Sequence, residues 1–232
     1  LQTAAETHRR NKPYTMGSMF WQIDDVWPTV SWSTVDYFGN WKAAHYAIRE
    51  AYKPVIISVD EYGELLNVHV LSDLMESFQS KLELSLRRMD GTILNIWDAV
   101  VSVPENGNAV VFTKSINKIL NGQKAKAVFL KMKLTQDDEI IDEGIYYFVD
   151  PKELELIKPE ITKSINEFKV TLKTDQLAKG IYLSTGNIKG HFSDNYFDLL
   201  PGDEKTITFT PKSDADNFES SLTITSLADI IE

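Results

Sequence analysis

After residue 54 the chain breaks into short runs, several with hydrophobicity at every second position, and that period admits little besides half-buried antiparallel β-strands. Leu82, Leu84 and Leu86 alternate with Lys81, Glu83, Ser85 and Arg87. Comparable runs lie at 55–59, 65–71, 92–103, 109–113, 127–134 and 140–149, separated by the turn signals Asp90-Gly91, Asn106-Gly107 and Asn121-Gly122. About seven short strands in about a hundred residues is the pattern of an immunoglobulin-like β-sandwich. A charged stretch with two prolines, DPKELELIKPE from Asp150 to Glu160, then reads as a linker. Strand-like runs resume at 168–172, 181–184, 206–210 and 221–225, which places a second, smaller sandwich near the lower size limit for independent stability. The expected organisation is mainly β: a distinct segment at 1–53, a sandwich at 54–152, a linker at 153–160 and a second sandwich at 161–232.

Residues 1–53 follow another rule. Four of the five tryptophans, Trp21, Trp27, Trp32 and Trp41, fall there within 21 residues. Leu1, Ala4, Ala5 and His8 are spaced as on a helix, and MGSMFWQI (16–23) is an apolar run of strand length. A continuous apolar strand suits a parallel sheet or barrel covered on both faces. The polar and aromatic stretch DDVWPTVSWSTVDYFGN follows, with Pro28 and Gly39 breaking regular structure. Asn40 is then placed to cap a helix with Trp41, Ala44, His45, Ile48, Ala51 and Tyr52 on one face, stopping before Pro54. Helix, strand, loop, helix is a piece of α/β architecture. A lone parallel strand needs neighbours, so this segment is expected to complete a sheet outside the chain, or to refold residues 16–32 against the neighbouring sandwich or a second copy, burying the tryptophans.

Composition narrows the chemistry. The 232 residues contain no cysteine, which removes disulfides, thiol nucleophiles and thiolate metal sites. The net charge of −10 opposes a nucleic-acid or anionic-membrane surface, and no apolar run approaches the ~18 residues of a membrane span. Residues 1–53 hold six basic and five acidic side chains, so the acidity belongs to the later regions. The four histidines, at 8, 45, 69 and 191, are too scattered to suggest a metal site, and no cofactor-binding motif is present. Acidic and amide residues at 194, 195 and 198 faintly suggest a calcium loop, although their spacing fits a solvated turn better.

An aromatic and an amide, Trp21 and Gln22, stand at the end of the expected buried strand, the face on which α/β barrels carry ligand sites. Indoles there pack on the C–H face of a pyranose while amides and carboxylates bind its hydroxyls. Elsewhere in the segment a tryptophan serves packing as readily as binding. Asp24 and Asp25 are adjacent on extended chain, so they point to opposite sides and cannot flank one scissile bond as acid and nucleophile.

The segment GSMFWQIDDVWPTVSWSTVDYFGNWKAAHYAIREAYKP resembles the last strand and helix of the catalytic (β/α)8 barrel of β-mannosidases in glycoside hydrolase family 2. The run Trp21 to Trp27, the pair Ser31-Trp32, the segment Gly39 to Lys42 and the closing Pro54 carry that resemblance, and FSDNYFDLLPGDEKTITF (192–209) is similar to part of the family's C-terminal β-sandwich. The resemblance implies a retaining exo-β-mannosidase parent that removes terminal β-mannose from non-reducing ends, with no cofactor. Its two catalytic glutamates come from earlier barrel strands, so a chain with this content is expected to be inactive alone. Trp21 is implied to lie beneath the sugar at the cleaved bond, and Gln22, Asp25 and Trp27 to support or border that pocket; Asp24 stands where Asn is common. The β-mannoside is the implied partner, with self-association through 16–32 as a further expectation. The absence of cysteines and glycosylation sequons suits a bacterial parent, periplasmic or secreted, with a cytoplasmic one also open. A self-standing sugar-binding protein, or a pair of structural support domains, are the alternatives.

Overall fold

A computed structural model describes residues 1–212 and 214–230. They form two compact units: residues 1–19 with 48–155, and 20–47 with the described residues from 156 to 230.

In the first unit the alternating runs become seven antiparallel strands: β1 (Val55–Tyr62), β2 (Leu65–Ser72), β3 (Phe78–Arg88), β4 (Ile93–Val103), β5 (Asn108–Ser115), β6 (Val128–Gln136) and β7 (Glu139–Tyr147). They pair in two sheets, ordered β1-β2-β5 and β4-β3-β6-β7. The period of two puts Leu66, Val68 and Val70 on the inner face of one sheet and Leu82, Leu84, Leu86, Leu130 and Leu134 on that of the other, all in one core. Asp90-Gly91 and Asn106-Gly107 turn the chain as expected, with positive φ at Gly91 and Asn106. Asn121-Gly122 instead ends a short helix, Ile116–Leu120, with Asn121 in the left-handed region. At the start of the expected linker, Leu154 is buried and the Glu155 N–H donates to the Lys126 carbonyl at 2.8 Å.

Helix α1 (Gln2–Arg10) lies on this sandwich, held by charge. Ala5 and Arg9, one turn apart, form its buried stripe. The Arg9 guanidinium donates to the carbonyls of Ala51 (2.6 Å), Lys53 (2.9 Å) and Pro54 (3.2 Å) and pairs with Asp73 at 3.2 Å. Ala51 is the last residue of α2 (Ala43–Ala51), so its carbonyl has no partner within the helix, and a cation there also complements the helix dipole. Lys12 repeats the device on the Ser72 carbonyl (3.0 Å), Asn106 (2.9 Å) and Asp73.

The second unit contains β8 (Ile161–Asn166), β9 (Lys169–Thr174), β10 (Ala178–Ser184), β11 (Gly190–Phe192), β12 (Phe197–Leu199), β13 (Glu204–Pro211) and β14 (Thr223–Thr225), in sheets ordered β11-β13-β9-β8 and β12-β10-β14. Its core gathers Val170, Leu172, Ile181, Leu183, Phe192, Ile207, Phe209 and Phe218. β8, β11 and β12 were not legible as separate runs. The last two are three residues long, and β8 (ITKSIN) keeps only Ile161 and Ile165 for its apolar face.

Two outcomes follow for the first sandwich. Asp142 on β7 accepts from the Ile57 N–H of β1 at 2.8 Å, joining the edge strands of the two sheets. Burial raises its carboxyl from the ordinary 3.8 to about 6, the Ile57 N–H and Lys53 opposing only in part. A raised carboxyl pKa contributes stability that is complete below pH 3.8 and is lost as pH rises through about 6, a difference of about 3 kcal/mol by neutral pH. Asp142→Asn keeps an acceptor for Ile57 and removes the buried charge. Urea unfolding should therefore find it more stable by about 1–3 kcal/mol at pH 7.5, with the gain vanishing toward pH 4; a loss at pH 7.5 would mean that attraction to Lys53 outweighs burial. Arg9→Lys cannot reproduce the guanidinium fork and should cost about 2–3 kcal/mol in the same assay.

Candidate functional site

Residues 20–42 in the second unit contain neither helix nor strand, only isolated bridges from Asp24 to Val35 and from Val35 to Trp41. The strand expected at 16–23 is absent, because a strand needs a partner along its length and only 33–35 runs beside residues 22–25. There Thr34 N–H donates to the carbonyls of Gln22 (3.2 Å) and Ile23 (3.0 Å), Val35 N–H to Ile23 (2.7 Å), and Asp25 N–H to Val35 (3.2 Å). The Trp21–Gln22 peptide bond is cis. Helix α2 begins at Ala43 rather than after Asn40, whose amide donates to Asp36 Oδ2 at 2.9 Å instead of capping the helix.

The short ladder closes a loop from 25 to 35 whose interior is polar. Asp25 is 7% exposed. Its Oδ1 accepts from the Ser31 hydroxyl, and its Oδ2 lies 3.1 Å from Lys42 Nζ. Lys42 Nζ also donates to Ser33 Oγ at 2.7 Å, and the Ser33 hydroxyl donates to the Val35 carbonyl at 2.8 Å. Thr34 is buried, with Oγ1 3.2 Å from the Ile23 carbonyl and 3.1 Å from His45 Nδ1 on α2. The Ser31 hydrogen bond, with Lys42 behind it, holds the Asp25 carboxyl below the usual carboxylate value despite its burial. Asp25 is thus an ionised group inside the loop with both oxygens engaged.

What the loop turns inward is polar, and what it turns outward is aromatic. Trp21 is 78% exposed, Trp27 64% and Trp32 80%, with Ile23, Val26 and Val30 exposed beside them. This overturns the expectation that residues 16–32 fold back and bury their tryptophans: with Asp25, Ser31, Ser33 and Lys42 filling the interior, there is no room inside for indoles. Trp41 alone takes the packing role. It stacks on His191 at 4.4 Å between centroids and leans on His45 at the same distance, while Tyr46 donates to the Phe192 carbonyl at 3.2 Å.

Of the four residues expected at a site, Trp21 and Trp27 lie on the exposed face, Gln22 beside them is half-buried and uses its carbonyl in the ladder, and Asp25 faces inward. Asp24 is exposed, so the two neighbouring carboxylates point apart as extended geometry requires. Lys42, Ser31 and Ser33 were missed as members of the constellation. The signal was present in SWS, where alternation sends Trp32 out and both serines in. No group of three His, Asp or Glu side chains able to hold a metal occurs among the described residues. In the suggested calcium loop, Asn195 bridges the Leu183 N–H and carbonyl at 2.8 and 2.9 Å, Asp194 pairs with Lys205, and Asp198 accepts from the Gly180 N–H at 2.7 Å.

Residues 64–153 match the mannosidase Ig/CBM-like domain family, and 152–230 match the Ig-fold domain family of mannosidases. The chain is similar to β-mannosidase of Capra hircus, at 30% identity over 251 aligned residues covering 99% of this chain and 28% of that protein. It is also similar to β-mannosidase A of Aspergillus oryzae, at 33% over 220 residues covering 86% and 24%. It therefore spans about a quarter of the length of these relatives. Among solved structures, β-D-mannosidase from Dictyoglomus thermophilum shares the fold with a TM-score of 0.82 at 24% identity, over 97% of this chain and 28% of that one. The exo-chitosanase of Amycolatopsis orientalis shares it with a TM-score of 0.72 at 17% identity, over 97% and 32%.

The exposed indoles set a direct expectation. Replacing Trp21, Trp27 and Trp32 together by Phe should remove most of the iodide-quenchable tryptophan emission, whereas Trp41→Phe should leave it. Sedimentation of the unmodified chain should depend on concentration and lose that dependence in the triple variant; concentration-independent sedimentation of the unmodified chain would dismiss self-association through this face.

Proposed function

We propose, from the premise that this chain carries the Ig-type domains of the β-mannosidases of glycoside hydrolase family 2, that it supplies one aromatic wall of the sugar site and two supporting sandwiches to a retaining exo-β-mannosidase acting on terminal β-D-mannose. Likeness to β-mannosidases along nearly the whole chain carries the reading. The display of Trp21 and Trp27 supports it, since an exposed indole offers the face that the C–H groups of a pyranose require.

Retaining hydrolysis needs two carboxylic groups about 5–5.5 Å apart, one to protonate the leaving oxygen and one to attack the anomeric carbon. The loop cannot provide them: Asp25 is consumed inside it and Asp24 points away. By the family resemblance the reaction's acid and nucleophile are glutamates in the part of the enzyme that this chain does not match, which leaves the chain alone inactive. In the complete enzyme residues 1–53 close the catalytic barrel, with 16–23 finding there the strand partners they lack here. Trp21 then lies under the bound mannose, Gln22 and Trp27 border it, and the sandwiches brace the barrel.

The purified chain should give no turnover of 4-nitrophenyl β-mannoside, while the enzyme with its barrel should hydrolyse it with retention, and Trp21→Ala in that enzyme should lower kcat/KM about 100-fold. Turnover by the chain alone would overturn the division of labour. A second reading, favoured by the open tryptophans, is that the chain binds sugar unaided. Titration of the chain with manno-oligosaccharides, followed by tryptophan fluorescence, separates the two: millimolar or weaker response fits the half-site, micromolar affinity the binder.

A further inference from the structure

We propose that Asp25, clasped by Lys42 and Ser31, is a positioning residue that sets where Trp21 and Trp27 stand, and that it touches no sugar itself. The inference rests on the reading of this face as part of a mannoside site, and it narrows the task of Asp25 from supporting or bordering the pocket, as the resemblance implied, to positioning the two indoles.

Position and occupancy argue for it together. Asp25 lies where the two arms of the loop meet: its own N–H reaches the Val35 carbonyl at 3.2 Å, and its carboxylate holds Ser31 on the far arm and Lys42 just before α2. Trp21 leaves the closed ladder one residue before Gln22, and Trp27 leaves it two residues after Asp25, so both indoles are carried by chain that this junction fixes. A sugar hydroxyl would have to displace Ser31 or Lys42 to reach the carboxylate. Both already serve the loop, because Lys42 Nζ is shared with Ser33 and Ser33 with the Val35 carbonyl.

Hydrophobic burial offers no substitute for the clasp. Ile23, Val26 and Val30 are exposed, and the buried members of the loop are Asp25, Ser33 and Thr34. A loop packed around aliphatic side chains would tolerate loss of one polar contact, because its shape would be kept by area. Here the shape is set by directed contacts to one anion. Asp25→Asn changes little in volume yet takes the counterion from Lys42 and confronts two donors with an amide that can accept at only one oxygen.

The test uses 5-fluorotryptophan labelling and 19F NMR on this chain, with Trp97 on β4, in the other unit, as internal reference. Asp25→Asn and Lys42→Met should each shift or broaden the resonances of Trp21, Trp27 and Trp32, leave that of Trp97 in place, and add nothing when combined. In the barrel-containing enzyme, Asp25→Asn should lower kcat/KM for 4-nitrophenyl β-mannoside about 10- to 100-fold with Tm within a few degrees of the parent, and should cost nothing further in a background in which Trp21 and Trp27 are both replaced by Ala. Unchanged fluorine spectra in Asp25→Asn would overturn the proposal, and so would a loss from Asp25→Asn that persists in full when Trp21 and Trp27 are both Ala, since it marks an independent contact with substrate. If the complete enzyme does not cleave β-mannosides, the functional reading fails, and the fluorine spectra still decide the role of Asp25.

Discussion

A buried carboxylate governs how this molecule presents its most reactive-looking surface. Burying an ionised Asp is unfavourable unless its lone pairs are met, and here a hydroxyl and an ammonium meet them from positions 31 and 42. That requirement explains the otherwise odd display of tryptophans. Indoles leave water readily, and Trp41 does so against His191 and His45. Trp21, Trp27 and Trp32 stay outside because polar side chains already occupy the interior to which the loop could have turned them.

The same economy of charge recurs at α1, in a different setting. Nine helical residues with only Ala5 and Arg9 buried have little apolar area with which to adhere to a sheet. Arg9 and Lys12 attach the helix through backbone carbonyls, among them the last carbonyl of α2, which has no partner within that helix. Guanidinium suits that task because one planar group can serve three carbonyls and a carboxylate from fixed directions. In both places chain without a hydrophobic core of its own is ordered by directed polar contacts, while the sandwiches rely on area.

The contrast explains what could be read beforehand. Strands β1 to β7 were visible because each must place alternate side chains in a shared core, and the turns between β3 and β4 and between β4 and β5 require the left-handed conformation that glycine and asparagine tolerate. Strands β11 and β12 were not, since three residues cannot show a period. The apolar run at 16–23 misled for a related reason: composition reports that a segment can be a strand, and only a neighbouring strand makes it one. At the candidate site the cluster of aromatics was visible in the sequence but the exposure of Trp21 and Trp27 was not, and the surroundings of Asp25 depended on Lys42, seventeen residues away in sequence, a pairing that no local pattern announces.

Asp24 and Asp25 show how far environment outranks residue type. Neighbours of identical chemistry end in opposite conditions, one in water and one sealed with two donors, because consecutive side chains of extended backbone face opposite ways. They cannot then act together as a hydrolytic pair: the first faces water on the opposite side, and the second has both oxygens engaged. A loop so constituted can shape and line a sugar site but cannot break a glycosidic bond. Its aromatic display and its catalytic poverty thus have one cause, since the side chains that could have carried chemistry are spent on holding the tryptophans in place.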